Sequence, residues 1–340
     1  MNQKQTDKTV LFIGGHRKAG TSLIRDLFDG HSDVLTYPVD LMALYAYFPD
    51  FIKKNNSVDL LKSRLKRIII GEIELAYKNS NVTPPNDFSK LEEYLFENLS
   101  TVEDFQNIEK VLYEINRSFI LWDTNNASKK FVAYKETSLE IYAHRIFDAF
   151  PDAKILQIIR DPRDNYAALK SGVDKKYKHY GEDEKVTLFS LLNRLNTSLR
   201  AGLINQTIYS SEHYKIIKFE DLTNSPQETT KEISNWMKTN FEECLLSPTK
   251  FGQHSAGNNF DNKKFKTISN VHVSAWKERI CNEEAQIIEF YLGDLMAQYG
   301  YETIFDSAES MKNASLFYEW SNYKYFYFDR LLEEEKHNAA

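Results

Sequence analysis

The sequence predicts an α/β fold, a three-layer α/β/α sandwich with a central parallel sheet and a helical insertion. Three observations carry that prediction. Four short runs, "TVLFIGG" (9–15), "KFVAYKE" (130–136), "KILQIIRD" (154–161) and "YKIIKFED" (214–221), are almost continuous in Val, Ile, Leu and aromatic residues. Such runs suit strands buried on both faces, as in a parallel sheet covered by helices. Helical patterns alternate with the runs, and 340 residues suffice for a sizeable core.

The first run leads into "GGHRKAGTSL" (14–23), after which Leu23, Ile24, Leu27 and Phe28 form one apolar stripe that Gly30 stops. "DVLTYP" (33–38) reads as a short fifth strand. Residues 41–128 look helical throughout, with "TPPND" (83–87) as an internal linker. An insertion after the first βα unit is expected above the carboxyl ends of the strands, where open α/β sheets bind ligands, and so on the substrate side. "LEIYAHRIFDAF" (139–150) supplies the helix after the second long run. After the third run, Pro162 opens a helix and Gly172 closes it. After the fourth, Ser225 and Glu228 fit a capping box with Pro226 at the first helical position. The tail from 303 is rich in aromatics, among them Phe317, Tyr318 and Trp320. It is expected to pack on the body or on a second subunit, which leaves a homodimer open. The domain reading is a main domain over 1–302, with the 41–128 insertion inside it, and an extension over 303–340.

Composition narrows the function. A net charge of −6 gives no reason to expect a nucleic-acid partner. Two cysteines, Cys244 and Cys281, make neither a disulfide framework nor a metal site. The polar start "MNQKQTDKTV" is no signal peptide, and no run approaches the roughly 18–20 apolar residues of a membrane span. A cytoplasmic protein with no integral membrane segment is expected.

"GGHRKAGTSL" resembles a nucleotide phosphate loop with its lysine displaced. Such a loop reads G-x-x-x-x-G-K-[ST]. Gly15, Gly20 and Ser22 fit, but Thr21 holds the lysine position and Lys18 lies inside the turn. Strand, turn and helix N-terminus still make an anion site, because the first helical N–H groups are unpaired and the dipole favours negative charge. Lys18, and with it Arg17, adds positive charge. A second basic feature, Arg160-Asp161-Pro162-Arg163-Asp164, ends the third long run. By itself it reads equally as a forked phosphate donor or as a salt-bridged helix start.

Together these segments resemble the sulfotransferases that use 3′-phosphoadenosine 5′-phosphosulfate (PAPS). In that family a [KR]-x-G-T-[TS] loop after the first strand binds the 5′-phosphosulfate, and here it reads Lys18-Ala19-Gly20-Thr21-Ser22. The family's R-D-P-R-D strand end implies that Arg160 binds the 3′-phosphate. "FED" (219–221) is similar to the family's Y-E-D, implying that Phe219 lies near the adenine. The segment 274–302, with Trp276, a helix and a final Gly-Tyr, is similar to the family's closing segment. The stretch 258–270 aligns with the loop over the cofactor, which assigns Lys263, Lys264 and Lys266 to the 3′-phosphate.

The resemblance implies a sulfotransferase fold like that of phosphate-loop NTPases and sulfuryl transfer to a hydroxyl or amine. The expected acceptor is a carbohydrate or small molecule; the product is 3′,5′-bisphosphoadenosine (PAP), and no metal is needed. Lys18 is then the charge-stabilising residue. For the base, Glu136 at the carboxyl end of the second long run comes first and Asp40 second. One departure stands out: Ala168 occupies the place of the serine that usually follows the 3′-phosphate arginine by eight residues, and Ser171 or Lys170 is the expected substitute. Two other readings remain, a non-catalytic sulfotransferase-like nucleotide-binding protein and a phosphate-loop kinase.

Overall fold

The computed structural model describes residues 8–180, 183–255, 257, 260, 265 and 267–325. Its main sheet has five strands: β1 (Thr9–Gly14), β2 (Val34–Asp40), β3 (Phe131–Lys135), β4 (Lys154–Ile159) and β5 (Tyr214–Lys218). Their order is β2-β3-β1-β4-β5. Every pairing is parallel, and helices flank the sheet, as the apolar runs predict. Every residue of β3 and β4 is buried, whereas the edge strand β5 keeps three partly exposed positions.

This order fixes where a ligand site forms. From β1 the chain passes over β3 to reach β2, while from β4 it passes the other way to β5. The connections diverge between β1 and β4, and such switch points leave a crevice outside the strands' carboxyl ends. Ile13 pairs with Lys135 and Gly14 with Gln157, so the three central strands end at one edge. Gly15, Glu136 and Arg160 are the first residues past those ends.

The chain forms two compact units, one of residues 1–160 and 201–270, the other of 161–200 and 271–340. The first holds the sheet. Between β2 and β3 it contains the helices Asp50–Lys54, Val58–Lys66, Glu72–Ser80, Phe88–Phe96, Val102–Gln106 and Ile108–Trp122. Two five-residue π-helical turns, Ala43–Tyr47 and Arg67–Gly71, complete this stretch. The longest of these helices docks on the sheet through aromatics. Tyr37 lies 5.0 Å from Phe119 and 5.1 Å from Tyr134 between ring centroids, and Phe12 lies 5.7 Å from Tyr134.

In the second unit the Pro162–Lys170 helix starts on Asp161, whose carboxylate accepts the Arg163 N–H. Arg163 is buried among three partners. It meets Asp161 and Glu289, each at 2.6 Å, and its guanidinium lies 4.4 Å from the Trp276 ring centroid. Asp164 accepts the N–H groups of Ser274 (2.6 Å) and Trp276 (2.8 Å). The second arginine of the strand-end motif, Arg163, is therefore salt-bridged. The Ser307–Tyr325 helix lies on the Asn282–Gln298 helix through Asn313 and Gln286 and through Phe317 and Tyr291.

Two local expectations need correction. The run 214–221 is not strand to its end: a helix, Phe219–Asn224, starts directly after β5. The capping box at Ser225 does not form, and its hydroxyl makes no cap bond. Ser225 also ends the preceding helix, its N–H donating to Asp221, and that double duty holds its backbone away from N-cap geometry. No helix among the described residues is long and apolar enough to cross a membrane.

Candidate active site

The loop after β1 is built on backbone that only certain residues tolerate. Gly15 has φ +136°, and a Cβ there would sit 2.2 Å from the Ile158 carbonyl oxygen of β4. Gly20 has φ +112°, and its Cβ would lie 2.7 Å from Cδ2 of Phe219. Both positions need glycine, since the positive φ strains any other residue and the close approach leaves no room for a Cβ. Between them Lys18 adopts φ +67°, a strained conformation for lysine. The loop is pinned by Ala19 N–H donating to His16 O (3.0 Å) and Ser138 N–H donating to Gly15 O (2.9 Å).

The Thr21–Phe28 helix follows. Its N-cap is Gly20, which supplies no side-chain cap, and its first turn carries no acidic residue. A helix start of this kind favours an anion. Ala19 and Thr21 are buried; Arg17, Lys18 and Ser22 are partly exposed.

Arg160, just past β4, reaches this loop. Only 5% exposed, it donates from Nη1 to the Lys18 carbonyl at 3.1 Å. Its guanidinium carbon lies 4.5 Å from the Phe219 ring centroid. Phe219 thus touches Arg160 as well as Gly20. Lys18 Nζ lies 3.8 Å from the Phe260 ring centroid. Lys18, Gly20, Arg160 and Phe219, spread over two hundred residues of chain, form one contact set.

Glu136, just past β3, is 1% exposed. Its carboxylate accepts the backbone N–H groups of Leu44 (3.1 Å) and Tyr45, at the start of the Ala43–Tyr47 turn. Burial pushes its pKa up to about 8, outweighing those two N–H bonds and Lys135, which pull it down; Asp40 adds to the rise. Asp40 ends β2 and is paired instead, with Lys135 Nζ at 2.7 Å and Arg25 Nη1 at 3.6 Å. A base of either identity therefore sits in an existing network.

Other expected residues do not join this set. Ser171 is in the second unit, where its hydroxyl donates to Ala167 O at 2.9 Å within its own helix turn. Lys170 pairs with Glu284 (2.9 Å) and Glu184 (3.2 Å). Partners in its own helix for Ser171, and on two other helices for Lys170, thus engage both expected substitutes for the missing serine. Lys263, Lys264 and Lys266 lie outside the described residues. Sequence reasoning missed Phe260, Arg25 and the Ala43–Tyr47 turn. Phe260 had a signal, an aromatic within the very stretch aligned to the cofactor loop. The turn had none, since it depends on Met42 at φ +59°.

Comparison with known proteins gives a consistent picture. A family model described as "Sulfotransferase family" matches residues 11–243. The chain is structurally similar to the sulfotransferase domain from the curacin biosynthetic pathway, at TM-score 0.57 and 17% identity, covering 87% of this chain and 99% of that one. It is similar to the sulfotransferase domain of the Synechococcus PCC 7002 olefin synthase at TM-score 0.55 and 17% identity, covering 87% and 97%. A more remote likeness, at TM-score 0.42 and 13% identity over 90% of this chain and 84% of that one, is to retinol dehydratase in complex with androsterone and inactive cofactor PAP. No curated protein sequence matches significantly.

Proposed function

The chain belongs to the sulfotransferase family, and from that premise we propose that it moves the sulfuryl group of PAPS to a hydroxyl or amine of a carbohydrate or small-molecule acceptor. The observation that carries this reading is the contact set of Lys18, Gly20, Arg160 and Phe219 at the β1/β4 switch point. Two features fit a phosphorylated nucleotide. The helix start is free of acidic residues and side-chain caps, and both glycines let the loop pack closely against Ile158 of β4 and Phe219, which sets its backbone beside Arg160.

When bound, PAPS supplies the sulfuryl group and departs as PAP. The Ala19 N–H is engaged by His16 O; the N–H groups of residues 20–22, at the start of the helix, hold the 5′-phosphate through the reaction as fixed donors. Lys18 stabilises negative charge at the bridge between phosphate and sulfur. Arg160 holds the 3′-phosphate through its guanidinium fork. Glu136 takes the acceptor's proton. A carboxylate that accepts two N–H bonds keeps further lone pairs for that purpose. A pKa near 8 suits a base working near neutrality.

Lys18→Ala separates transfer from binding. Turnover is expected to fall by about 10²–10³, the scale of losing one charge-stabilising group. PAP affinity, measured by calorimetry, is expected to stay within a few-fold. Equal loss of both would remove Lys18 from the role. A protein that binds PAP yet transfers to no acceptor in a broad panel of sugars, phenols and amines fits the non-catalytic reading instead.

A further inference from the structure

We propose that Arg160, besides contacting the nucleotide, is the positioning residue that holds Lys18 in its left-handed backbone conformation. This rests on the sulfotransferase reading for its kinetic consequence, though not for its structural one.

At φ +67° Lys18 occupies a region that a lysine leaves unless its surroundings over-determine it. Its own backbone carbonyl accepts a hydrogen bond from Arg160 Nη1, at 3.1 Å. A guanidinium donor makes that bond charge-assisted, and the burial of Arg160 shields it from water. Arg160 is itself fixed: its guanidinium lies on the Phe219 ring at 4.5 Å, and Phe219 is held against Gly20 and buried. A ring locked by the loop thus orients the arginine that locks the loop. Rotation of Lys18 toward ordinary backbone angles swings its carbonyl away from Arg160 and carries Nζ off its present line.

The chemical consequence is a coupling. The residue that reads the 3′-phosphate also sets the geometry of the residue at the bridging oxygen. Loss of the guanidinium therefore costs more than nucleotide affinity. Small displacements of a catalytic group lower rate steeply, so the cost extends to the transfer step.

Two measurements test this, one of them without any reaction. In ligand-free protein, the Ala19 and Ser138 amides, both bonded within or to the loop, report its order through hydrogen exchange. Arg160→Met is expected to speed their exchange by about tenfold, the scale of coupling between residues in contact. Unchanged exchange overturns the proposal. If Arg160→Met does not fold, Phe219→Leu, which removes the ring under the guanidinium, is expected to speed the same two amides; no change there overturns it equally.

The second measurement is a double-mutant cycle in kcat at saturating PAPS. Arg160→Met is expected to lower kcat by about tenfold in the wild-type background and by little in a Lys18→Ala background, since positioning has no object once the lysine is gone. A rise in KM with kcat unchanged assigns Arg160 to nucleotide binding alone and overturns the proposal. If the wild-type protein transfers nothing, the proposed function fails while the exchange experiment still decides the positioning role.

Discussion

A carboxylate at the end of a buried strand carries opposing influences on its proton, and Glu136 shows which one wins. Burial raises its pKa, two backbone N–H groups lower it, and the balance stands at about 8 against an ordinary 4.5. The groups facing it are Asp40 from β2, its neighbour Lys135, and the buried Tyr37, whose phenol is itself pushed up by burial and by Glu136. Between pH 4.5 and 8 the folded protein keeps a proton that the unfolded chain releases. Stability therefore falls as pH rises across that window. As a base, the same group becomes competent as pH rises through about 8. Glu136→Gln is expected to flatten the stability decline, measured by urea unfolding at several pH values, and to remove the alkaline rise in kcat/KM while lowering it by about 10²–10⁴. A retained alkaline limb in the variant would take the base role from Glu136. The sequence shows that an acid follows β3. It does not show that a turn ninety residues upstream meets the carboxylate, because nothing in "DLMALYAY" announces a left-handed Met42.

The turn joining β1 to its helix illustrates what is legible at the scale of an element. Glycine spacing, a preceding apolar run and a following apolar stripe all declare strand, loop and helix start, and β1 and Thr21–Phe28 follow. The spacing does not declare why each glycine is needed, and two of them differ. Gly15 has φ +136° and faces the Ile158 carbonyl, whereas Gly30, also at positive φ (+88°), opens onto space in which an added Cβ would meet nothing within 4 Å. Gly30→Ala is expected to cost about 1–2 kcal/mol, the backbone strain alone. Gly15→Ala adds a steric clash with main chain that cannot rotate away, so its cost exceeds that range by at least about 1 kcal/mol. Chemical denaturation of the two variants compares them directly; equal losses would mean that β4 shifts to accommodate the methyl. The same limit on legibility explains the strand-end motif. Asp161 and Pro162 announce a helix start locally. Arg163's other partners, Trp276 and Glu289, lie more than a hundred residues away and leave no local mark.

For the molecule as a whole, the decisive fact is topological. Buried parallel strands reveal themselves as apolar runs, so the fold class could be read directly, but strand order cannot be read from periodicity. The order β2-β3-β1-β4-β5 brings the ends of β1 and β4 side by side and so makes one site of Lys18 and Arg160. Under the proposed function the ligand bears a separate anionic group for each, and its binding to the native state stabilises the fold. Binding to the native state alone adds RT ln(1 + [L]/Kd), about 2.7 kcal/mol at a hundredfold excess over Kd. For a chain of this size that is a rise in Tm of several degrees. PAP is expected to produce this rise in a thermal unfolding scan. Adenosine 5′-phosphate, which lacks the group assigned to Arg160, is expected to produce a much smaller one at equal concentration. Mg-ATP is expected to give little, because Thr21 stands where a nucleotide triphosphate loop carries its lysine. The reverse order, a shift with Mg-ATP and none with PAP, would favour a phosphate-loop kinase and would detach Arg160 from nucleotide recognition.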